Sequence, residues 1–372
     1  MLHLRREFSI FRSVEVGPLD NTACTCVALD AMGGDYAPDE AIQGAVDAVS
    51  ERKNIKVLLV GREAILAGKL KAYTYPKEQI EIVPASEVIE TAEHPVKAIV
   101  NKKDSSIVVG MKLVRDGKAD GFISAGNSGA VLVGGQTIVG RVKGVERSPF
   151  AAIIPTKNGV SLLLDAGANV DARASHLVQF ARMGSIYMEE AIGVKNPKVG
   201  IVNVGAEEEK GNALVKETFP LLKACTDINF VGSCEARDIP MGACDVVVCE
   251  GFTGNCLVKM YEGAGIMLRS VAKECLLSST RSKLGALLIK PAIRTAAKKF
   301  DASAYGSAPM LGLKGLVVKA HGNAKAKQFK FSIFQVETFK KQDLGNKIGK
   351  KFEAEAEAKK ETLAARRAAK NN

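Results

Sequence analysis

Two short segments far apart in the chain have the composition of anion-binding strand-to-helix junctions. One is Asp30-Ala-Met-Gly-Gly-Asp35, and the other is Gly251-Phe-Thr-Gly-Asn255. Each follows a short apolar run, Val27-Ala-Leu29 or Val246-Val-Val248, and precedes a stretch with helical spacing. Backbone N–H groups at the start of a helix point outward and carry partial positive charge, so such junctions favour a phosphate or a carboxylate.

Two similar junctions lie between them, Ile123-Ser-Ala-Gly-Asn-Ser-Gly129 and Asp165-Ala-Gly-Ala-Asn-Val-Asp171. None contains the Gly-Lys-Ser/Thr of a P-loop, and none has the Rossmann G-x-G-x-x-G pattern after a strand. Any one of these Gly/Asn pairs is also compatible with a tight turn or a helix cap. Their recurrence at the ends of predicted strands favours binding.

The composition limits the class of protein. The 372 residues, of which 47% are apolar, can bury a full core in one large or two ordinary domains. A net charge of +11 predicts a basic face that an acidic protein, an anionic membrane or a nucleic acid could use. Tryptophan is absent and aromatic residues make up only 5%, so we expect no stacking platform for nucleic acid.

The eight cysteines form no C-x-x-C pair, and only four histidines could join them as ligands. The cluster from Cys234 to Cys256 fits no usual zinc spacing, so we expect free thiols in a reducing, cytoplasmic compartment and no metal. No apolar run is long enough for a transmembrane helix. Residues 1–23 lack the apolar core of a secretory signal and are predicted to be a disordered extension.

Strand-like and helix-like patterns alternate along the chain. This alternation predicts an α/β fold with a mostly parallel sheet covered on both faces. Because ligands of such sheets bind beyond the carboxyl ends of the strands, the four junctions should converge on one composite site. The predicted strands are 25–30, 55–60, 79–83, 120–124, 151–155, 160–165, 198–203, 228–231, 245–249 and 315–319, and the main predicted helices are 38–50, 105–116, 128–139, 174–192 and 211–223.

Residues 256–300 are predicted to form a helical hairpin joined near Ser278-Ser-Thr-Arg-Ser282. It is rich in apolar residues and in lysine and arginine, with Glu274 as the acid near its centre. An apolar tip with basic flanks suits a membrane interface. A dimer-forming or core-packing hairpin with a solvated basic face is the alternative, and both can hold. Residues 341–372, rich in Lys, Glu and Ala, predict a solvated charged helix.

A set of motifs, in this order and spacing, resembles the bacterial acyl-ACP:phosphate acyltransferases of the PlsX family over residues 25–340. The motifs are Val27-Ala-Leu-Asp-Ala-Met-Gly-Gly-Asp-Tyr-Ala-Pro38, Ile123-Ser-Ala-Gly-Asn-Ser-Gly-Ala130, Leu164-Asp-Ala-Gly-Ala-Asn-Val-Asp171, Gln179-Phe-Ala-Arg-Met-Gly-Ser-Ile-Tyr187, Lys210-Gly-Asn212, Gly251-Phe-Thr-Gly-Asn255 and Lys319-Ala-His-Gly322.

The resemblance implies a soluble, homodimeric three-layer α/β/α enzyme, related in fold to isocitrate and isopropylmalate dehydrogenases, with its domain over residues 24–340. It implies transfer of a fatty acyl group from acyl carrier protein (ACP) to inorganic phosphate, without a cofactor. The acyl phosphate would serve a membrane glycerol-phosphate acyltransferase of the PlsY type, and the enzyme would be peripheral at the membrane.

Some positions depart from the family pattern. Glu250 stands where Asp normally precedes Gly-Phe, Ser128 replaces Thr, and Ser307 replaces Gly. The Asn323-Ala-Lys325 run replaces a more usual Ser-rich stretch. The Glu250 change adds one methylene beside a proposed anion site, so it bears on where phosphate is placed.

In the implied reaction, phosphate attacks a thioester carbonyl, so the protein must position an anion and stabilise an oxyanion. Phosphate is itself the nucleophile, and no Ser-His-Asp set is required. Asp30 is expected to orient lysine, asparagine or backbone groups, because its carboxylate repels a phosphate dianion. His321 could donate to the thioester oxygen or the leaving sulfur, or make a structural hydrogen bond.

The remaining site predictions concern anion binding. Backbone amides at Gly33-Gly34 and at Asn127, Ser128 and Gly129 would hold phosphate. Thr253, Gly254 and Asn255 would cap a helix and supply further donors. Lys259 would add charge, and Asn169 and Asn212 are secondary candidates.

Two other classes of function stay open from the sequence. One is a nicotinamide-dependent dehydrogenase of the related fold, which would need a dinucleotide site and usually a metal held by aspartates. The other is a non-catalytic scaffold that binds ACP or a membrane. The missing dinucleotide fingerprint counts against the first, and binding of ACP without turnover would identify the second.

Overall fold

The computed structural model describes residues 24–299, 306–354 and 357. The strands are β1 Thr25–Asp30, β2 Ile55–Gly61, β3 Ile80–Pro84, β4 Gly121–Ser124, β5 Ala151–Thr156, β6 Gly159–Leu164, β7 Lys198–Asn203, β8 Asn229–Glu235, β9 Val246–Val248, β10 Ala308–Met310 and β11 Leu316–Lys319. The predicted extension, residues 1–23, lies outside the described residues, as does most of the predicted tail.

The helices lie between these strands and after the last of them. They are α1 Asp39–Glu51, α2 Glu63–Leu70, α3 Pro95–Asn101, α4 Ser106–Arg115, α5 Ser128–Gly134, α6 Ala174–Tyr187, α7 Ala213–Lys223, α8 Gly251–Leu277, α9 Thr280–Lys299 and α10 Ala326–Lys341. Helices α5 and α6 continue into π-helical turns, Gly135–Gly140 and Met188–Ile192, and residues 344–354 are also helical.

The strands form two sheets, with the orders β10-β11-β4-β1-β2-β3 and β5-β6-β9-β7-β8. Every pairing is parallel except β10–β11 and β5–β6. The mostly parallel α/β architecture is therefore confirmed, although the strands divide between two sheets. An antiparallel bridge between Phe150 and Met310 joins the sheets at their antiparallel edges.

The central strands are buried on both faces, which explains their continuous apolar runs. In β1, Val27 and Leu29 pack into one hydrophobic cluster, while Ala28 between them packs into another. In β9, Val246 and Val248 face one cluster and Val247 faces the opposite one. Helices therefore cover both faces and complete the three layers.

Helices α8 and α9 form the predicted helical hairpin, with its break at Ser278 and Ser279. Gly251 and Gly254, in the first turn of α8, are its fully buried residues, and Leu257, Val258 and Tyr261 pack partly buried against the core. The helix projects from the core beyond Tyr261, where its residues are mostly exposed. Large apolar side chains on both helices are exposed, and Leu288 of α9 reaches 81%. Among the described residues, no helix combines the length and hydropathy needed to span a bilayer.

Candidate active site

Three neighbouring parallel strands, β4, β1 and β11, end at one edge of the first sheet. Asp30, the last residue of β1, is fully buried there. Its carboxylate accepts hydrogen bonds from Ser124 Oγ at 2.7 Å and from the Met32 backbone N–H at 3.0 Å. Burial raises the pKa of Asp30, and the hydrogen bond from Ser124 opposes that rise. Asp30 therefore fixes the backbone and hydroxyl groups around it.

Glycine is required where the β1 loop meets its neighbours. A Cβ on Gly33 would lie 2.5 Å from Asp30 Oδ2 and 2.6 Å from the Gly126 nitrogen. Gly34 has φ of +101°, a conformation that L side chains rarely adopt. The next N–H, of Asp35, donates to the Gly322 carbonyl at 2.8 Å. The loops after β1, β4 and β11 therefore pack against one another through their backbones.

Lys319, the last residue of β11, is the functional candidate that the sequence analysis missed. It lies opposite Ser124 in the pairing of β11 with β4, and its ammonium donates to the Ala125 carbonyl at 3.3 Å. Burial lowers the pKa of Lys319 to about 8, against the opposing fields of Asp30 and Asp35. A half-buried lysine with a lowered pKa at a ligand-binding edge is typical of functional sites. The signal was present in the sequence, as the lysine that opens the Lys319-Ala-His-Gly322 motif.

Asn127 has the helix-capping role that the sequence left open as the alternative to binding. Its Oδ1 caps α5 by accepting the Ala130 N–H at 2.9 Å. Its Nδ2 donates to the carbonyls of Glu90, Thr91 and Glu93 at 3.0–3.1 Å. The side chain is thus occupied in fastening the 90–93 loop to α5, and it is not placed to bind phosphate directly.

Ser128 and Gly129 follow Asn127 as the first two residues of α5. A Cβ on Gly129 would lie 2.4 Å from Pro95 Cγ at the start of α3, so α3 and α5 start side by side. Because they begin the helix, the backbone N–H groups of Ser128 and Gly129 are the donors at this junction that remain candidates for binding an anion.

Asn169 also proves to be structural. The Asp165 carboxylate accepts the N–H groups of Phe150, Gly167, Ala168 and Asn169, and the Asn169 side-chain amide as well. The Asn169 carbonyl in turn accepts the Gly251 N–H at 2.8 Å. This network attaches the loop after β6 to the start of α8.

The start of α8 already carries a carboxylate. Glu250 is the N-cap: its Oε2 accepts the Thr253 N–H at 2.8 Å, and its Oε1 accepts the Thr253 hydroxyl. The Gly254 N–H donates to the Glu250 carbonyl at 3.0 Å. Thr253 and Gly254 lie in the first turn and donate to this cap, so their amides are satisfied within the protein. Glu250 would repel a phosphate at this helix end, contrary to the prediction.

His321, Lys259 and Asn255 are exposed around the start of α8. His321 Nε2 lies 3.9 Å from Glu262 Oε2 on α8, so the end of β11 faces this helix. Lys259 precedes Glu262 by about one helical turn. Asn255 lies beside Gly167, where a Cβ would come within 3.4 Å of the asparagine side chain. The structure thus places His321 beside the part of α8 that carries Lys259 and Glu262, and places the loop after β6 beside Asn255, nearer the start of the helix.

Asn212 and Thr253 line a cavity of about 490 Å³ beyond the ends of β7, β8 and β9. Asn212 caps α7, its Oδ1 accepting the Val215 N–H at 2.9 Å. Glu235 and Glu250, at the ends of β8 and β9, also reach the cavity. The predicted site residues therefore fall into two groups, one at the edge of each sheet.

Within the part of the chain that the structure describes, no three His, Cys, Asp or Glu side chains come together as metal ligands. All eight cysteines are free thiols. Cys249, which lines the cavity, is buried, and burial raises its pKa well above the ordinary value, which disfavours the reactive thiolate.

Comparison with known proteins agrees with this architecture. The family model described as "Fatty acid synthesis protein" matches residues 25–347. A phosphate acyltransferase from Clostridium acetobutylicum is 46% identical over 327 residues, which cover 88% of this chain and 98% of the relative. A phosphate acyltransferase from Alkaliphilus oremlandii is 48% identical over 84% of this chain and 93% of its own.

Solved structures share the fold at low identity. A phosphotransacetylase from Streptococcus pyogenes superposes with a TM-score of 0.58 at 16% identity, covering 85% of this chain and 94% of its own. The EutD phosphotransacetylase from Staphylococcus aureus gives 0.54 at 15% identity with the same coverage. The sequence matches extend over most of the chain at nearly half identity, so the chain belongs to the phosphate acyltransferase (PlsX) family and is an acyltransferase.

Proposed function

We propose that this chain transfers a fatty acyl group from acyl-ACP to inorganic phosphate. A phosphate oxygen forms a bond to the thioester carbonyl carbon, and the bond from that carbon to sulfur breaks. The products are an acyl phosphate and the free thiol of ACP. The observation that carries the assignment of phosphate is Lys319, a half-buried ammonium at the glycine-lined edge where β1, β4 and β11 end.

Phosphate binds at this edge in the proposal. The Lys319 ammonium supplies charge, and the backbone amides of Gly33, Gly34, Ser128 and Gly129 supply directional donors. Asp30 does not contact phosphate; its hydrogen bonds to Ser124 and to the loop after β1 hold the donors in place. Fixing the nucleophile in this way removes much of the entropic cost of a bimolecular reaction.

The thioester reacts between this edge and α8. His321 donates a hydrogen bond to the thioester oxygen as negative charge develops there, or to the leaving sulfur, and Lys259 adds positive charge nearby. Because a thiolate leaves readily, the site needs no strong general acid. Asn255 is a further donor at the start of α8, whereas Asn127, Asn169, Asn212, Thr253 and Gly254 support the site through the structural contacts described above.

Binding of ACP and of the membrane belongs to the same proposal. ACP is acidic, and a chain of net charge +11 can attract it. The exposed apolar and basic residues of the α8–α9 hairpin would hold a cytoplasmic enzyme at an anionic membrane, where a PlsY-type acyltransferase takes the acyl phosphate. The same hairpin would support a homodimer, and sedimentation with and without vesicles separates the two uses.

The direct test is to incubate the protein with acyl-ACP and phosphate and to measure acyl phosphate and free ACP by mass spectrometry. Both products should appear together, and omission of phosphate should abolish both. ACP binding without turnover would instead support the scaffold alternative. Absorbance change at the nicotinamide band with a 2-hydroxy acid would support the dehydrogenase alternative.

A further inference from the structure

The cavity at the edge of the second sheet has a different chemical character from the Lys319 edge. Its inner wall is made of buried apolar side chains, among them Leu177, Ile201 and Val215. Leu214 of α7 and Leu257 of α8 are partly buried and line it as well. Its volume of about 490 Å³ is in the range of pockets that enclose small molecules.

The polar groups of the cavity are confined to one side, where the strands end. Asn203 ends β7 and Glu235 ends β8, while Glu250 and Thr253 lie at the start of α8. Asn203 is occupied by hydrogen bonds to Ser233 Oγ and the Lys210 carbonyl, and Glu250 by Thr253. The hydrogen-bonding groups on the polar side are thus largely paired within the protein, and the space between these groups and the buried wall is apolar. At its mouth, Val204 is 78% exposed.

We propose that this cavity binds the hydrocarbon chain of the acyl donor. The inference rests on the proposed function, because that reaction requires a fatty acyl chain to leave water beside a phosphate site. Arg237 also lines the cavity but pairs with Glu235 at 3.2 Å, so Glu235 and Glu250 outweigh its charge and disfavour an anionic ligand. A neutral chain entering past Val204 would bury apolar surface without leaving a polar group unpaired. The chain runs inward toward Leu177, and the thioester end stays at the start of α8.

A change in chain-length preference tests the proposal. Leu214→Phe adds bulk to the cavity wall, and Leu221→Phe makes the same change on the same helix at a residue that is 45% exposed and outside this cavity. Each methylene excluded from an apolar pocket should lower kcat/KM roughly fourfold. Leu214→Phe should therefore lower kcat/KM for a sixteen-carbon donor by about tenfold or more, with an eight-carbon donor within about twofold. Leu221→Phe should change neither.

An equal loss for both donors, or no loss in a folded Leu214→Phe variant, would overturn the assignment. An equal loss is also the result expected if the cavity holds the arm that links the acyl group to ACP.

A binding measurement separates this proposal from the proposed function. The chain contains no tryptophan, so Val204→Trp places a single fluorophore at the mouth, and Val231→Trp places a matched one on β8 at an exposed residue outside the cavity. The uncharged methyl ester of palmitic acid, brominated on its chain, should quench the fluorescence of the Val204→Trp variant and leave that of the Val231→Trp variant unchanged. Adding Leu214→Phe to the Val204→Trp variant should weaken the quenching.

Quenching at position 204 with no acyl transfer to phosphate in any assay would uphold the acyl-binding cavity and refute the proposed reaction. Acyl transfer with no selective quenching at position 204 would refute the cavity assignment alone.

Discussion

Replacement of Lys319 by methionine removes the ammonium that the proposed phosphate site depends on. A charge-assisted hydrogen bond to an anion contributes about 1.5–3 kcal/mol, so the KM for phosphate should rise roughly ten- to 150-fold. Lys314→Met is the matched control, because this exposed lysine precedes β11 at the opposite end of the strand. Steady-state kinetics with phosphate varied at saturating acyl-ACP would give the comparison.

The pH dependence follows from the lowered pKa of Lys319, about 8. The protonated form binds phosphate, so affinity is present below that pKa and is lost as the pH rises through it. Between about pH 7 and about pH 9 the protonated fraction falls from about nine-tenths to about one-tenth, and the KM calculated for the phosphate dianion should rise nearly tenfold. Lys319→Arg keeps its charge over this range and should flatten the profile.

The pH dependence of folding stability reports on the protonation of Lys319 independently of phosphate binding. Because the pKa of Lys319 in the folded protein lies below the ordinary 10.5, the unfolded chain binds more protons between about pH 8 and 10.5. Lys319 should therefore make the wild type gain stability as the pH rises through that window, and Lys319→Met should lose that gain. A phosphate KM that is unchanged in Lys319→Met, with a pH profile like that of the wild type, would refute the assignment of Lys319.

Three further outcomes are expected. Apparent affinity for acyl-ACP should fall steeply with added salt while the KM for phosphate responds less, since docking is electrostatic and the phosphate site is partly enclosed; a flat response would indicate apolar docking. The double variant Leu287→Glu and Leu288→Glu, at residues 64% and 81% exposed, should no longer float with anionic vesicles but should form acyl phosphate nearly as well as the wild type. If the double variant is instead monomeric, these residues form a dimer contact. Gly254→Ala should lower the melting temperature sharply, because the new Cβ would lie 1.9 Å from the Asp165 carbonyl oxygen. Gly265→Ala on the same helix is the control: its Cβ would meet no atom within 4 Å, so this variant should melt at or above the wild-type temperature.

The strands were predictable wherever burial on both faces imposes a continuous apolar run. β1 and β9 were located within one residue for this reason. β10 was missed because its three residues, Ala308-Pro-Met310, carry no pattern and are held by their pairing with β11. α10 was missed although its signal was present, since Phe329, Ile333 and Val336 have helical spacing and are all buried.

The positions of the site loops were predictable from the sequence, but whether each side chain in them binds a ligand or supports the fold was not. Asparagine after a strand is compatible with a ligand or a cap, and the choice for Asn127 depends on carbonyls 34–37 residues away in sequence. The clash at Gly254 likewise arises from Asp165, far away in sequence. For this reason a larger side chain at position 254 would report on folding and not on phosphate binding.

The two sheet edges differ in charge, and in the proposed reaction each edge therefore binds a different substrate group. At the first edge, Ser124 and the Met32 N–H donate to the Asp30 carboxylate, and the Lys319 ammonium, which donates to the carbonyls of Ala125 and Ala320, supplies the positive charge that an anion needs. At the second edge, Glu250 occupies the helix start that an anion would otherwise use, and the space behind it is apolar. Phosphate and acyl chain would therefore approach from opposite sheets. The thioester carbonyl would lie between them, where His321 from the first sheet edge meets Glu262 on α8.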